Sequence, residues 1–477
     1  MSTNFNYIKN RISEHRVDDL LEYSYDLLEN QKKEIFPVWH VFILMKWAII
    51  YGGKKRPLKT LTSQKYGNIY NNISNFNQDH ISQFLKNGNV DKGFQILYNQ
   101  QFYLQKQVYK EIFYTQYSMF YSIKGKYDIQ DSFRQKTGLT VFDFLHILQL
   151  FWLYLNMDVL ERDDIAFKGY IDSDFVNVAK DIIGEEKVLS FIKLLTLHPF
   201  NADKGISDYK HKIRDEDLQT MEMSFFTMFP FQLFKNQVRL IHSSVFNHCA
   251  NYYIYDFLKA NDDAFTTEFG YRLEKFFELG LKEINIPYIT ESKLKKQLPK
   301  KSKLVDFVIP DQNIYIECKA TELQAYPYVN PSDELIFNSL KSSVFKAYFE
   351  QMVSVSKNMS LDDENWGIII TYKEFFWSHF KKLYDIGAKN YENVETSHIP
   401  PENVFVIDIY TWNITVQIIK NEKITLLDIL KNAKANNSNP QTAKMLFKMH
   451  LDEYKSSTLN LKYFENVSPL FEIKDPN

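Results

Sequence analysis

Two carboxylates and a lysine in the second half of the chain have a spacing that could hold a metal ion. They are Asp306, Glu317 and Lys319, within the segment Lys303–Lys319. Runs of β-branched and aromatic residues flank the turn-forming residues Pro310–Asn313, which predicts a β-hairpin. With the turn centred on those four residues, Asp306 lies directly across from Glu317. Lys319 shares their face, because side chains alternate along a strand.

Opposed acids in such a hairpin predict a bound cation. Like charges directly opposite each other in a sheet destabilise it by roughly 0.2–1 kcal/mol, and a cation between them would remove that repulsion. The alternative is a surface hairpin with an ordinary charged cluster. The apolar neighbours Val305, Phe307 and Ile316 argue against a solvated ribbon.

Composition sets the broad class of the protein. The chain has 477 residues, room for two or three domains, and its 45% hydrophobic and 24% charged residues are ordinary for a folded protein. A net charge of −2 excludes a uniformly basic surface for nucleic acid but not a local basic patch. The only cysteines, Cys249 and Cys318, are too few for a disulfide scaffold and fit a reducing compartment.

No segment has the pattern of a targeting signal or a membrane span. The polar start, Met1–Asn6, is not typical of a signal peptide. The most apolar stretches are 40–51, which is too short to cross a bilayer, and 141–157, which contains polar residues. Both are predicted to be buried helices, and we expect a cytoplasmic protein without membrane contact.

Hydrophobic periodicity divides the chain into three segments. Residues 1–262 repeat apolar positions at spacings of three and four, which predicts a large all-helical N-terminal domain. Residues 263–415 predict an α-β-β-β-α-β-α-β order, a mixed sheet that begins with an antiparallel meander and is closed by a crossover helix. Residues 416–477 predict a short helical C-terminal extension that ends in a loosely held tail. The expected fold class is therefore α plus α/β.

The elements of the middle segment can be placed from propensity and capping residues. The predicted elements are a helix at Thr266–Glu283, a strand at Ile286–Thr290, the hairpin, a helix at Leu335–Met359 capped by Pro331–Asp333, a strand at Trp366–Thr371, a helix at Phe375–Asp385 and a strand at Val404–Ile409.

The segment 263–415 resembles the PD-(D/E)XK nuclease superfamily, which has the restriction-endonuclease-like fold. The likeness covers roughly a third of the chain. It rests on Val305-Asp306, on Glu317-Cys318-Lys319 and on the acidic helix before them. Val305 stands where the family pattern has proline.

The resemblance implies metal-dependent hydrolysis of phosphodiester bonds. Mg²⁺ is held by one or two carboxylates together with waters and phosphate oxygens, which suits Asp306 and Glu317. Mn²⁺ is expected to substitute for it. Lys319 would orient the attacking water or stabilise developing negative charge.

The resemblance also implies a third acid on the helix before the hairpin. The candidates are Glu268, Glu274 and Glu278. On a helical wheel Glu274 lies nearest the edge of the apolar stripe, and Gly270-x-x-x-Glu274 is similar to the G-x-x-x-E of many such helices. Glu274 is therefore predicted to complete the metal site, while Glu268 and Glu278 are expected in solvent.

The helix after the hairpin is implied to supply one more residue. Related nucleases carry a glutamine or lysine there that contacts the site or the phosphate. Gln351 matches that position, and an ordinary helix-surface residue is the alternative. Cys318 points to the opposite face and is predicted to be a small core residue.

A lysine-rich connection precedes the hairpin. Such a cluster beside a metal site would bind a phosphate backbone in a salt-sensitive way, and the alternative is a solvated loop. Its residues are Lys293, Lys295, Lys296, Lys300, Lys301 and Lys303.

These features predict a Mg²⁺-dependent endonuclease, with DNA favoured over RNA and a bacterial antiphage role suggested by where such domains occur. The helical domain would select substrate, form a homodimer or bind a protein partner. The chain has no phosphate-binding P-loop motif of its own.

Two other functions stay open at this stage. An inactive nuclease fold could serve as a nucleic-acid-binding or protein-interaction module. A helical RNA-binding protein could instead use the Tyr- and Gln-rich segment Gln95–Tyr121 for stacking, although a buried aromatic helix is the favoured explanation of that segment.

Overall fold

A computed structural model of the chain describes residues 4–29, 37–53, 58–86, 90–160, 170–197, 215–359, 364–377, 379–454 and 459–472. Within these ranges no single helix is both long enough and apolar enough to span a membrane. One pair of helices, Ile129–Thr137 and Val141–Leu155, meets those criteria only together and is bent by 64°.

Helices make up most of the described residues before 262. Their bounds are Phe5–Ser13 (α1), Val17–Glu29 (α2), Val38–Tyr51 (α3), Ser63–Lys86 (α4), Val90–Gln101 (α5), Lys110–Tyr117 (α6), Ile129–Thr137 (α7), Val141–Leu160 (α8), Ser173–Ile183 (α9), Glu185–Leu195 (α10) and Ser243–Asn261 (α11). Three short strands lie among them, at Thr196–Leu197 (β1), Phe231–Phe234 (β2) and Gln237–Leu240 (β3).

Helices and strands alternate after residue 264. The helices are Phe265–Glu283 (α12), Glu291–Gln297 (α13), Ala325–Val329 (α14), Asp333–Leu340 (α15), Val353–Met359 (α16), Lys381–Ala388 (α17), Ile409–Glu422 (α18), Leu426–Ser438 (α19), Lys448–Leu451 (α20) and Lys462–Glu465 (α21). The strands are Ile289–Thr290 (β4), Phe307–Ile309 (β5), Ile314–Cys318 (β6), Trp366–Thr371 (β7) and Val404–Asp408 (β8).

The chain forms two compact units, and the two are interleaved in sequence. The first contains residues 1–109, 130–261 and 325–331, and the second contains 110–129, 262–324 and 332–477. This division differs from the three consecutive segments drawn from the sequence, because contacts join stretches that are far apart along the chain.

The first unit includes a small sheet, so the expectation of an all-helical N-terminal domain is wrong. Strand β1 pairs parallel with β2, and β2 pairs antiparallel with β3. The β2–β3 turn consists of Lys235 and Asn236, which have φ angles of 48° and 62°. Two successive residues with positive φ are typical of the tight turns that join antiparallel strands. The turn is hard to recognise from sequence because glycine, the usual residue there, is missing.

Helix α14 belongs to the first unit although it follows the hairpin in sequence. The side-chain amide of Gln95 donates a hydrogen bond to the carbonyl of Pro327 at 3.0 Å. Val329 is fully buried in a small apolar cluster with Ile96 and Met221. Part of the connection between β6 and α15 therefore belongs to the first unit and contributes Val329 to a buried cluster there.

The second unit is built on a five-stranded sheet in the order β4-β5-β6-β7-β8. Strands β4, β5 and β6 are antiparallel, while β6, β7 and β8 are parallel. The hairpin register pairs Phe307 with Ile316 and Ile309 with Ile314, which confirms the register that the turn position predicts. Strand β7 has the expected bounds, but β4 is limited to Ile289–Thr290.

The crossover between β6 and β7 includes a long helical stretch, Asp333–Met359. Ser332 caps its start, as its side chain accepts a hydrogen bond from the Leu335 N–H at 3.3 Å. Between α15 and α16 the segment Lys341–Met352 has π-helical hydrogen bonding. Such segments are often associated with functional sites, because an extra residue per turn redirects the side chains that follow.

The C-terminal tail is not loosely held where the structure describes it. Leu461, Phe464 and Phe471 are buried, and Glu283 binds this region through Lys420 Nζ and the N–H of Lys462. The tail therefore contributes buried apolar side chains to the second unit. The weak helical pattern of the sequence did not predict this burial.

Glu268 is buried in a charged network, so the expectation that it lies in solvent is wrong. Its carboxylate accepts hydrogen bonds from Arg272 Nε at 2.7 Å and from the N–H groups of Lys126 and Tyr127 at 3.1 and 3.2 Å. Arg272 also donates to the carbonyls of Met119, Phe120 and Tyr127. The network fastens residues 118–127 to α12.

We predict that Gly125→Ala weakens this network. A Cβ at Gly125 would lie 1.7 Å from Glu268 Oε1, so the carboxylate would have to leave its buried partners. The expected loss in the free energy of unfolding is roughly 1–3 kcal/mol, measurable by urea denaturation. Gly270→Ala is the control, because its Cβ meets nothing within 4 Å. A Gly125→Ala protein as stable as the parent would show that Glu268 is not held in place.

Candidate metal centre

The hairpin brings Asp306 and Glu317 together through backbone hydrogen bonds as well as strand pairing. Asp306 stands one residue before β5, and Glu317 is in β6. The N–H of Asp306 donates to Glu317 Oε2 at 3.0 Å, and the N–H of Cys318 donates to Asp306 Oδ2 at 2.7 Å. Each carboxylate therefore accepts a hydrogen bond from a backbone N–H at or next to the other acid. The predicted opposition of the two acids is confirmed.

The turn holds the hairpin at its far end. Residues Pro310–Gln312 form a single 3-10 turn, and Asn313 closes it with a φ of 52°. Asparagine tolerates this left-handed conformation better than most residues. Gln312 Oε1 accepts a hydrogen bond from the N–H of Leu427 at 2.9 Å, so the first turn of α19 anchors the tip.

Lys319 and Gln351 both contact one oxygen of Glu317. Lys319 Nζ lies 2.5 Å and Gln351 Nε2 lies 2.6 Å from Glu317 Oε1. Both residues were expected at the site, and the structure brings both there. Their donors and the Asp306 N–H occupy three of the roughly four acceptor positions of the Glu317 carboxylate.

Gln351 has a definite orientation. Its Nε2 also donates to the carbonyl of Leu304 at 2.7 Å, and two acceptors around one atom identify that atom as the nitrogen. Its Oε1 is buried and has no hydrogen-bond partner among the described residues. A buried acceptor left unpaired is unfavourable by about 1–3 kcal/mol, so this oxygen is suited to a donor that comes from a ligand or water.

Glu274 lies at the edge of the site. It is half-buried on α12, and Lys275 Nζ is 3.4 Å from its Oε1. Its charge contributes to raising the pKa of Asp306, after burial and Glu317, which places the carboxylate near the pair. Glu278, four residues later, is not solvated as expected, since it accepts a hydrogen bond from the Tyr288 hydroxyl at 2.7 Å.

The pKa values of Asp306 and Glu317 are both raised, which means that the nearby positive charge does not fully stabilise the two carboxylates. Burial first, and then the Glu317 carboxylate, raise the pKa of Asp306 well above its usual value. Burial also raises the pKa of Glu317, although Lys319 and Gln351 oppose the change. Burial alone would lower the pKa of Lys319, but the Glu317 carboxylate outweighs it and raises that pKa. Lys319 is therefore protonated at neutral pH.

A divalent cation fits these donors. Mg²⁺ prefers oxygen ligands and is commonly bound by one or two carboxylates with waters completing its shell. Asp306 and Glu317 provide two such carboxylates, and a cation would offset the repulsion that raises the pKa of Asp306. Among the described residues no group of three or more His, Cys, Asp or Glu side chains is placed to hold a metal ion, and Glu274 as a third ligand stays a prediction.

The six lysines lie in solvent beside the hairpin. The connection is partly helical rather than a loop throughout, because α13 contains three of them and buries Leu294. The N–H of Glu291 donates to the carbonyl of Asp306 at 2.9 Å, so α13 begins at the backbone of Asp306. All six are exposed: Lys293, Lys295, Lys296, Lys300, Lys301 and Lys303.

Sequence reasoning did not identify the backbone groups that hold the site residues, nor the lysine that pairs with Glu274. The N–H of Cys318 and the carbonyl of Leu304 have no signature in the sequence. Lys275 follows Glu274 directly, and that adjacency was a usable signal. The Cys318 side chain is buried, and burial raises the pKa of its thiol, in keeping with a core residue.

Comparison of the chain with models of protein families, with curated proteins and with solved structures gives no match.

We predict that Asp306→Asn stabilises the metal-free protein. The amide keeps an acceptor for the Cys318 N–H and removes the repulsion with Glu317, so the free energy of unfolding should rise by about 1 kcal/mol at pH 7. Because the folded-state pKa of Asp306 is raised, the folded parent binds a proton that the unfolded chain releases above about pH 4. The stability of the parent should therefore fall as pH rises through the folded pKa, and that part of the decline should be absent in the variant.

Asp311→Asn is the matched control, since Asp311 is an exposed acid in the turn of the same hairpin. It should leave both the stability and its pH dependence unchanged. Equal effects of the two substitutions in thermal unfolding with EDTA would contradict the proposed repulsion.

Proposed function

We propose that the protein is a Mg²⁺-dependent endonuclease that hydrolyses phosphodiester bonds in DNA. The observation that carries the proposal is the opposition of the half-buried Asp306 and the buried Glu317, with Lys319 and Gln351 bound to one oxygen of Glu317. Opposed carboxylates are unfavourable for folding, and a role in holding a cation explains their presence in an otherwise apolar sheet.

The topology of the second unit is compatible with the proposal. Both acids and Lys319 come from one antiparallel hairpin, and β7 and β8 continue the sheet in parallel. Residue 351 is supplied by the helical crossover between β6 and β7. Residues separated in sequence are thus brought to one end of the hairpin.

Each side chain would have a distinct task. When bound between Asp306 and Glu317, Mg²⁺ would neutralise charge on the scissile phosphate and help a water molecule to attack. Lys319, protonated at neutral pH, cannot take a proton from that water and would instead stabilise negative charge that develops on the phosphate oxygens.

Gln351 would act through both ends of its amide. Its Nε2 holds Glu317 and the Leu304 carbonyl, which keeps the carboxylate directed toward Asp306. Its unpaired Oε1 is available to accept a hydrogen bond from a water molecule and so to orient that molecule.

The lysines beside the hairpin would provide non-specific affinity for the phosphate backbone. Six exposed ammonium groups follow β4 within a short stretch, and α13 begins at the backbone of Asp306. Their charge would offset the net negative charge of the whole chain at the place where the substrate binds.

The main prediction concerns cleavage. Asp306→Ala, Glu317→Ala and Lys319→Ala should each reduce Mg²⁺-dependent cleavage by at least about 100-fold, because each removes a charge that acts on the phosphate or holds the cation. The measurement is gel analysis of labelled single- and double-stranded DNA and RNA with Mg²⁺ or Mn²⁺. Asp311→Ala, in the same hairpin, should cleave like the parent.

Robust cleavage by Glu317→Ala, or cleavage that survives EDTA, would overturn the assignment. Nucleic-acid binding without cleavage by the parent, together with no Mn²⁺ binding in calorimetry, would instead favour the inactive binding module.

A second prediction tests the lysines. Replacing Lys293, Lys295 and Lys296 with alanine should weaken DNA binding at low salt. The slope of log affinity against log salt should fall by up to about 0.9 for each lost duplex contact or about 0.7 for each single-strand contact. Lys431→Ala, an exposed lysine on α19, is the control and should leave the slope unchanged. A triple variant with the parental slope would remove these lysines from the binding surface.

A further inference from the structure

An exposed tyrosine stands beside the candidate third acid. The Tyr271 side chain on α12 is 42% exposed, although it is a large apolar ring. The ammonium group of Lys275 lies 5.6 Å from the centre of that ring. Tyr271 precedes Glu274 by three residues, which is less than one helical turn or about 5 Å along the axis.

The helical wheel shows what lies on either side of this tyrosine. Counted at about 100° per residue, Glu274 lies about 60° from Tyr271 on one side. Glu268 and Arg272 lie about 60° and 100° away on the other side. Because these two bind residues 118–127, Tyr271 occupies the exposed strip of α12 between that segment and Glu274.

The segment 118–127 presents a second ring with an ammonium group. Tyr121 stacks on Tyr117 with ring centres 4.6 Å apart, and Lys124 Nζ lies 4.9 Å from the centre of the Tyr121 ring. Lys124 and Lys126 are exposed. Two aromatic–ammonium pairs are thus attached to the same helix through one buried network.

We propose that the surface that carries Tyr271, Tyr121 and Lys124 binds unpaired nucleotides of the substrate strand, so that the nuclease acts on single-stranded DNA or on unpaired segments. The inference rests on the proposed function, since it names the substrate class for that site. Aromatic side chains and basic groups in series are the means by which proteins hold single strands without reading sequence.

Base stacking accounts for the exposed ring better than phosphate binding does. Lys275 Nζ lies 3.4 Å from both Glu274 and Glu278, so the local charge is not positive and would not attract a phosphate. The open face of Tyr271 can accept a base instead. In a duplex both faces of each base are covered by neighbouring pairs, and only an unpaired base can stack there.

The surface is held rigidly enough to select a strand. Arg272 uses its guanidinium to bind three backbone carbonyls of the segment 118–127. Phe120, next to Tyr121, stacks on Phe269 of α12 with ring centres 5.4 Å apart. The backbone that carries Tyr121 therefore keeps its place on α12 before a strand binds, which lowers the entropy lost on binding.

The test is fluorescence anisotropy of the full-length protein with a labelled 20-nucleotide single strand or the matching duplex, in EDTA to prevent cleavage. Tyr271→Ala should bind the single strand roughly tenfold more weakly, as expected for the loss of one base–aromatic stack, and should bind the duplex like the parent. Tyr271→Phe retains the ring and should bind the single strand within about twofold of the parent.

Salt dependence separates stacking from charge. Tyr271→Ala should leave the slope of log affinity against log salt unchanged, whereas Lys124→Ala should lower it by about 0.7 on the single strand. Tyr7→Ala is the matched control, because Tyr7 is 46% exposed in the first unit, and it should change neither affinity nor slope.

Parental single-strand affinity in Tyr271→Ala, equal losses for both substrates, or no binding of either substrate would overturn the inference. Cleavage distinguishes it from the proposed function. A parent that cuts duplex DNA with Mg²⁺, and whose Tyr271→Ala variant cuts equally well, would remain a nuclease without this surface. A parent that binds single strands as described but never cuts would refute the nuclease and keep the surface.

Discussion

The repulsion between Asp306 and Glu317 is the constraint on which the second unit depends. Two acids directly across a pair of strands and with little solvent around them are unfavourable unless a positive charge lies near. The described side chains and backbone stabilise the two negative charges only in part. Lys319 donates to one oxygen of Glu317, and a backbone N–H donates to each carboxylate. Burial first, and then the Glu317 charge, raise the pKa of Asp306, and a cation between the two acids would remove the part of that effect that comes from their repulsion.

The surrounding elements act mainly to keep that arrangement in place. The π-helical segment directs Gln351 toward Glu317, and Leu427 holds the turn of the hairpin. On the other side, Glu268 and Arg272 fix α12 to the segment 118–127. These contacts come from parts of the chain that are far apart in sequence, so the site depends on the tertiary structure of the whole unit.

What the sequence predicted well was determined locally. The hairpin register follows from four turn residues and the alternation of side chains, and the cap at Ser332 follows from one hydroxyl before an apolar run. Gln351 was found only through the family resemblance. The prediction that Glu268 is exposed was wrong because residues far away in sequence determine whether that side chain is buried. Glu268 has an exposed position on a wheel of α12 alone, and only the segment 118–127, more than a hundred residues earlier, buries it. The β2–β3 turn escaped notice because Lys235 and Asn236 replace the usual glycine.

The passage of residues 325–331 through the first unit has a practical consequence for dissecting the protein. A fragment that ends near residue 262 lacks Val329, which fills a cluster with Ile96 and Met221, and a fragment limited to 263–415 lacks Phe120 and Phe464, which pack on α12. Neither truncation produces an intact unit, so an inactive or aggregated fragment says nothing about where activity lies. Function in this chain has to be mapped by point substitutions in the complete protein.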